Sequence, residues 1–306
     1  MSKRFRSGVV AIVGLPNVGK STLLNRLLGQ KIAIVSPRPQ TTRDRILGVK
    51  HLPTGQIVLV DTPGLHRPHG KGRSELNRYM VQQAEEAIAD VDAVLVLVEA
   101  PHAESRRAIG REYDLLLQTL EGAKKPTVLV INKIDLLRKK GALLPVLEEW
   151  SRRYPFRALI PISAAKGEGT DRVVDELMAL LPEGEKLFPD DALTDRPVRW
   201  LASELVREQV FVLTREEVPY AVAVTIDSFE ERDRDVMIRA TIHVEKEAQK
   251  RILVGGAGRM VREIGARARR EIGELVGRPA HLTLFVRVDT GWSQDPHALE
   301  EMGYGG

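Results

Sequence analysis

The 306-residue chain contains no cysteine, so a disulfide framework and a thiolate metal site are both excluded, which fits a reducing compartment. Its seven histidines form no HxxxH pair, which removes the helical two-histidine zinc motif. No apolar run approaches the roughly 20 residues that cross a bilayer. Met1 to Arg6 lead straight into a strand pattern instead of a secretory h-region, and a cytoplasmic protein is expected. A formal net charge of +4 is too small an excess to argue by itself for a nucleic-acid partner. What is present, 43% hydrophobic and 29% charged residues, is a globular composition, and the length predicts two domains.

Up to Leu181 short apolar runs alternate with longer amphipathic stretches, which predicts an α/β fold, a mostly parallel six-stranded sheet with helices on both faces. The strand candidates are Gly8 to Val13, Ile46 to Leu52, Gln56 to Asp61, Asp92 to Glu99, Thr127 to Ile131 and Ala158 to Ile162. Most are continuous Val/Ile/Leu runs of the kind buried on both faces; the second alternates, as an antiparallel edge strand does. Helices are predicted near Ser21 to Leu28, Glu75 to Ala89, Gly110 to Glu121, Leu143 to Tyr154 and Asp171 to Leu181. Pro182 to Pro197, with three prolines and many acids, reads as a connection. The expected division is 1–182, a linker over 183–197, and an α+β domain over 198–306.

The chemistry begins at Gly14-Leu15-Pro16-Asn17-Val18-Gly19-Lys20-Ser21, which fits G-x-x-x-x-G-K-[ST] and lies between an apolar strand and a helix. Its backbone N–H groups are expected to cradle phosphates, with Lys20 on the β- and γ-phosphates, Ser21 on Mg²⁺ and Thr22 following at the same helix start. Asp61-Thr62-Pro63-Gly64 ends a strand, placing a carboxylate to orient the magnesium water shell and the Gly64 N–H near a γ-phosphate. Alone it would read as a β-turn. Asn132-Lys133-Ile134-Asp135 follows another strand; Asp135 can accept from N1–H and the 2-amino group of guanine, whereas adenine has no 2-amino group and an acceptor at N1. Ser163-Ala164-Ala165-Lys166 is expected to bring backbone N–H groups to the guanine O6. The polar stretch from Val35 to Arg43 reads as a switch loop holding Gln40, Thr41, Thr42 and Arg43, with the Thr42 hydroxyl favoured over Thr41 for the magnesium shell.

Farther on, Gly255-Gly256-Ala257-Gly258 breaks two predicted helices, Lys246 to Leu253 and Arg259 to Val276. By itself GxxG is only a helix-breaking turn. Around it, from Lys246 to Arg278, nine basic residues stand against four acidic ones, a local excess of +5. Met260, Ile264, Ala268, Ile272 and Leu275 form the apolar stripe of the second helix and leave Arg259, Arg262, Arg269 and Arg270 on other faces.

Four nucleotide motifs in this order resemble the translation-factor-related branch of P-loop GTPases over all of the first domain. The second, with its helix-strand-strand-helix-GxxG-helix-strand order, resembles a type II KH module, which clamps a single-stranded nucleic-acid backbone. Together with Gln40-Thr41-Thr42-Arg43 and a Gly291-Trp292…Leu299…Gly303-Tyr304 tail, the chain resembles the Era-type family of bacterial GTPases along nearly its whole length. That resemblance implies binding of GTP and GDP, magnesium-dependent hydrolysis, and a role in 30S subunit assembly through the 3′ end of small-subunit rRNA. It also implies weak peripheral membrane association, and a monomer is expected. It carries over Gly255, Gly256, Ala257 and Gly258 as the clamp, and phosphate contacts then fall to Lys250, Arg251, Arg259 and Arg262. Leu65 stands where Ras-like enzymes place the glutamine that orients the attacking water, so slow hydrolysis is expected, with the water held by backbone, a cation or a partner. Asn17 matches the position that helps to hold K⁺ in related GTPases, and K⁺ dependence follows as an expectation. Two other readings stand beside this one. They are an RNA-binding protein with vestigial nucleotide binding and a GTP-dependent tRNA-modifying enzyme, for which the sequence offers no second catalytic site.

Overall fold

A computed structural model describes residues 4–64, 75–100 and 113–304. Of these, 4–33, 42–64, 80–100 and 113–195 form one compact unit, and 34–41, 75–79 and 196–304 form another.

The first unit is built from β1 (Arg6–Gly14), α1 (Lys20–Leu28), β2 (Ile46–Leu52), β3 (Gly55–Asp61), α2 (Glu75–Ala89, of which 80–89 belong here), β4 (Ala93–Glu99), α3 (Asp114–Ala123), β5 (Thr127–Asn132), α4 (Leu143–Arg153), β6 (Ala158–Pro161) and α5 (Thr170–Leu180). Its sheet runs β2-β3-β1-β4-β5-β6, parallel throughout except for β2, which pairs antiparallel with β3 at the edge as its alternating pattern predicts. The continuous runs Val10 to Val13, Ala93 to Leu97 and Val128 to Ile131 are fully buried, because helices cover both faces of a parallel sheet. The predicted start of α3 at Gly110 lies outside the described residues. Strand order places the C-terminal ends of β1, β3 and β5, where the nucleotide motifs sit, along one rim.

The Pro-rich connection is strapped along the edge strand. Gln56 is fully buried; its carbonyl accepts from the N–H groups of Leu187 (2.8 Å) and Phe188 (2.9 Å), and its amide donates to the Phe188 carbonyl at 2.9 Å. The Val49 N–H donates to the Leu193 carbonyl at 2.8 Å. The outer edge of β2 is therefore partly paired, which blocks strand addition.

In the second unit, α6 (Val198–Leu213), β7 (Val222–Glu231), β8 (Val236–Val244), α7 (Glu247–Val254), α8 (Arg259–Val276), β9 (Ala280–Val288) and α9 (Pro296–Glu301) follow in order. The sheet runs β7-β8-β9, the first pair antiparallel and the second parallel. Ile264, Ala268 and Ile272 are fully buried, with Met260 and Leu275 packed beside them, so the expected stripe faces the core. The tail adds a short helix, α9, that no periodicity announced; Asp295 caps it by accepting from the His297 N–H at 3.0 Å, with Pro296 in its first turn. Trp292, 1% exposed, stacks on Tyr304 with ring centroids 6.1 Å apart.

Polar residues of α6 are unusually buried: Glu204, Arg207, Glu208 and Gln209. Their partners explain it. Arg207 binds Glu204 through two nitrogens and donates to the Thr41 carbonyl at 2.5 Å. Glu208 accepts from the Val35 N–H at 2.8 Å, and Arg38 donates to the Thr214 carbonyl. The segment 34–41 is thus hydrogen-bonded to α6 inside this unit.

Candidate functional site

Strand β1 delivers the chain into a loop with two residues of positive φ, Asn17 (64°) and Gly19 (100°), before α1 begins at Lys20. Gly19 is sterically required. A Cβ there would lie 2.3 Å from the Asn132 amide nitrogen, on top of an unfavourable backbone. Lys20 is buried, its ammonium held by the carbonyls of Gly14 (3.2 Å) and Leu15 (3.0 Å).

Three oxygen-bearing side chains converge beside this loop. Ser21 Oγ lies 2.6 Å from Asp61 Oδ2 and 2.8 Å from Thr42 Oγ1, and Thr42 Oγ1 lies 3.5 Å from the same carboxylate oxygen. Asp61 is completely buried and its second oxygen, Oδ1, has no hydrogen-bond partner among the described residues. Thr41 faces elsewhere, its hydroxyl 2.7 Å from Ser36 Oγ and donating to the Arg38 carbonyl. Geometry therefore brings Thr42, and not Thr41, to the cluster. Hard oxygen donors around an orphaned buried carboxylate oxygen suit magnesium, which takes one or two protein oxygens and fills its shell with water and phosphate. Among the described residues no group of three His, Cys, Asp or Glu forms a metal cage.

Electrostatics carry the mark of a site built for charged ligands. Burial drives the Asp61 carboxyl up to about 6, against the pull of Lys20, Ser21, Thr42 and the Thr62 backbone. Burial likewise draws Lys20 down to about 8, against the attraction of Asp61. Both groups pay for desolvation that phosphates and a cation would offset.

The loops that follow β5 and β6 are tied to the loop before α1 by the Asn132 side chain. Asn132, 3% exposed, donates to the Val18 carbonyl at 2.8 Å and accepts from the Ala164 N–H at 2.9 Å. Its amide thus ties the phosphate loop to the Ser163-Ala164-Ala165 loop. Lys133 adopts φ 67° and pairs with Glu99 at 2.9 Å. Asp135 sits half-buried in a single 3-10 turn, and none of the described hydrogen bonds uses its carboxylate. Ser163 is buried and its hydroxyl accepts from the Lys166 N–H at 3.2 Å. A residue that no motif announced, Arg26 of α1, donates to the carbonyls of Ala164 (3.1 Å) and Ala165 (2.5 Å); an exposed helical arginine in sequence carries no sign of this. In the switch segment Gln40 has φ 60° and donates to Asn77 at 3.1 Å, while Arg43 is 1% exposed. Thr22 lies on the first turn of α1 and Gly64 packs against Pro16. Leu65 lies outside the described residues.

In the second unit the GxxG turn links α7 to α8 with Gly255, Ala257 and Gly258 all at positive φ (66°, 53° and 74°). Gly256, Ala257, Arg259, Arg262 and Arg251 are exposed, and Lys250 is half-buried. Arg259 and Arg262 fold back on the turn, donating to the carbonyls of Gly256 (3.3 Å) and Ala257 (2.6 Å), so they brace the loop they flank.

A family model described as a 50S ribosome-binding GTPase matches residues 9–133, and one described as a KH domain matches residues 217–293. GTPase Era of Geobacter metallireducens is 51% identical over 98% of each chain, and GTPase Era of Xylella fastidiosa is 46% identical over 98% of each. A crystal structure of Era in complex with MgGDPNP and nucleotides 1506–1542 of 16S ribosomal RNA superposes with a TM-score of 0.92 at 41% identity, covering 98% of this chain and 99% of that one. An Aquifex aeolicus Era variant bound to GDP and AlF4⁻ gives the same figures.

Proposed function

The chain belongs to the Era family of GTPases, and on that premise we propose that it is a GTP-controlled assembly factor of the small ribosomal subunit. It binds GTP and hydrolyses it to GDP and phosphate with magnesium. The observation that carries the wider reading is the presence in one chain of the Ser21, Thr42 and Asp61 oxygen cluster beside a phosphate loop and of an exposed GxxG turn on a basic helix pair. A relative of the same fold was solved holding a magnesium nucleotide and the 3′ segment of 16S rRNA together.

In this reading residues 14–22 cradle the phosphates, and Lys20 pairs with the β- and γ-phosphates. Ser21 and Thr42 ligate magnesium, with Asp61 acting through water. The ion supplies charge neutralisation at the phosphates when bound. Asp135 accepts from the guanine edge while Asn132 braces two loops around it and Ser163, Ala164 and Ala165 line the O6 side. Gly255 to Gly258 clamp the RNA backbone with Lys250, Arg251, Arg259 and Arg262. Nucleotide control follows from continuity of the chain. Residues 34–41 are hydrogen-bonded to α6 and run directly into Thr42, so ordering Thr42 on a γ-phosphate reaches the RNA-binding unit. K⁺ near Asn17 is the proposed aid to hydrolysis, and equal turnover in Na⁺ and K⁺ buffers would remove it. The protein acts in the cytoplasm with weak peripheral membrane association; among the described residues no helix is long and apolar enough to span a bilayer.

Multiple-turnover GTP hydrolysis, combined with co-sedimentation on 30S subunits in preference to binding of tRNA, tests the proposal. A single turnover would leave only an RNA-binding protein with vestigial nucleotide affinity, and preference for tRNA would point to a modifying enzyme.

A further inference from the structure

The outward face of the second unit's sheet carries an exposed aromatic that no motif explains. Along β9, Leu282, Leu284, Val286 and Val288 turn to the core, while His281, Thr283, Phe285 and Arg287 are exposed, with Phe285 49% exposed. Register with β8 sets Arg239 opposite Thr283 and Thr241 opposite Phe285. On one strand, residues two apart lie about 6.6 Å from each other, so Phe285 has Thr283 on one side and Arg287 on the other, with Thr241 across and Arg239 diagonal to it. Arg239 is exposed and makes none of the described ion pairs. Arg287 is bridged to Asp289 at 2.9 Å but keeps 69% of its side chain exposed. Of the acids nearby, Asp227 on β7 is engaged by Thr241 at 2.8 Å, and Asp235 faces His281 at 3.4 Å.

A flat ring flanked by two guanidiniums and two hydroxyls on a sheet suits an unstacked base with its phosphates on either side. A docked protein would fill the same face with more apolar area than this single ring offers. We propose that the Phe285 face is a second single-stranded RNA site, on which a base stacks after the strand leaves the GxxG clamp and passes the β9 edge. The inference rests on the RNA-binding reading above. A clamp of this kind grips about four nucleotides, whereas the relative described above holds nucleotides 1506–1542, so the strand has length left to place.

The test uses the full chain with two RNAs from the 3′ end of 16S rRNA, one of four nucleotides and one of twelve. Phe285→Ala should weaken the longer RNA about 5- to 150-fold, the range for losing one stacked base, and leave the shorter RNA and GTP hydrolysis unchanged. Phe285→Trp should keep the affinity, and the new indole should be quenched by the longer RNA only. Phe285→Leu should behave as Ala does. Full affinity in Phe285→Leu would mean a greasy contact and no stacking, and an unquenched indole would also overturn the site. Equal loss for both RNAs would place the effect at the clamp. Failure of the unmodified chain to bind either RNA would bring down the RNA reading itself, and this proposal with it. Matching circular dichroism melts for the three variants exclude misfolding.

Discussion

Replacing Asn132 by alanine should separate holding the nucleotide loops from reading the base. The side chain is 3% exposed and makes two hydrogen bonds, to the Val18 carbonyl and from the Ala164 N–H. Truncation leaves both backbone groups buried without partners. At about 1–3 kcal/mol for each unsatisfied group, the loss is about 2–6 kcal/mol, a large part of the roughly 5–15 kcal/mol that holds a domain folded. At about 2–4 °C per kcal/mol for a domain of this size, the apo first unit should melt about 5–20 °C lower. Asp135→Ala is the contrast. That carboxylate serves no described hydrogen bond, so apo stability should move by no more than about 0.5 kcal/mol, while preference for guanine over adenine nucleotides collapses by orders of magnitude. Differential scanning calorimetry of the nucleotide-free proteins and titration with fluorescent guanine and adenine nucleotides supply both readouts. If Asn132→Ala melts within a degree of the parent yet loses guanine preference as Asp135→Ala does, Asn132 reads the base and the bracing argument is wrong.

Binding of magnesium and GTP should weaken about tenfold per pH unit below about 6, because a proton on Asp61 competes with the cation; calorimetric titration showing no change between pH 7.5 and 5 would refute this. In the apo protein the same group works the other way. Its carboxyl, raised from 3.8 to about 6, favours folding below about pH 4, and that contribution is lost as pH rises through 6. Arg207→Met should destabilise by about 3–5 kcal/mol in urea, since Glu204 is left charged and buried, while Arg207→Met combined with Glu204→Leu should recover most of the loss; a cost under about 1 kcal/mol for the single change would refute it. Gly258→Asp, placed at φ 74° in the clamp, should weaken RNA binding in filter assays and leave basal GTP hydrolysis alone, whereas Lys20→Ala should abolish nucleotide affinity.

What sequence could reveal followed periodicity and spacing. Continuous apolar runs marked the parallel strands, alternation marked β2 as the antiparallel edge, and Gly19-Lys20-Ser21 marked the turn from β1 into α1. Long-range partnerships had no local trace. Arg26 reads as any exposed helical arginine, yet it holds the Ala164 and Ala165 carbonyls. Arg207 and Glu204, three residues apart, read as a surface helix pair, and only folding shows them buried against Thr41. Thr41 and Thr42 are chemically alike, and the geometry of the loop alone separates them. The α9 helix escaped because six residues with a proline at the start give no period to detect.

The strap over β2 bears on where the chain can be cut. A fragment ended at residue 182 would discard the backbone groups that occupy the Gln56 amide and the Leu193 carbonyl that meets Val49, stripping the flank of the sheet and inviting strand-to-strand association. One ended at residue 195 retains them. A laboratory seeking an isolated nucleotide-binding half should therefore carry the proline-rich stretch along with it, as the last piece of that half.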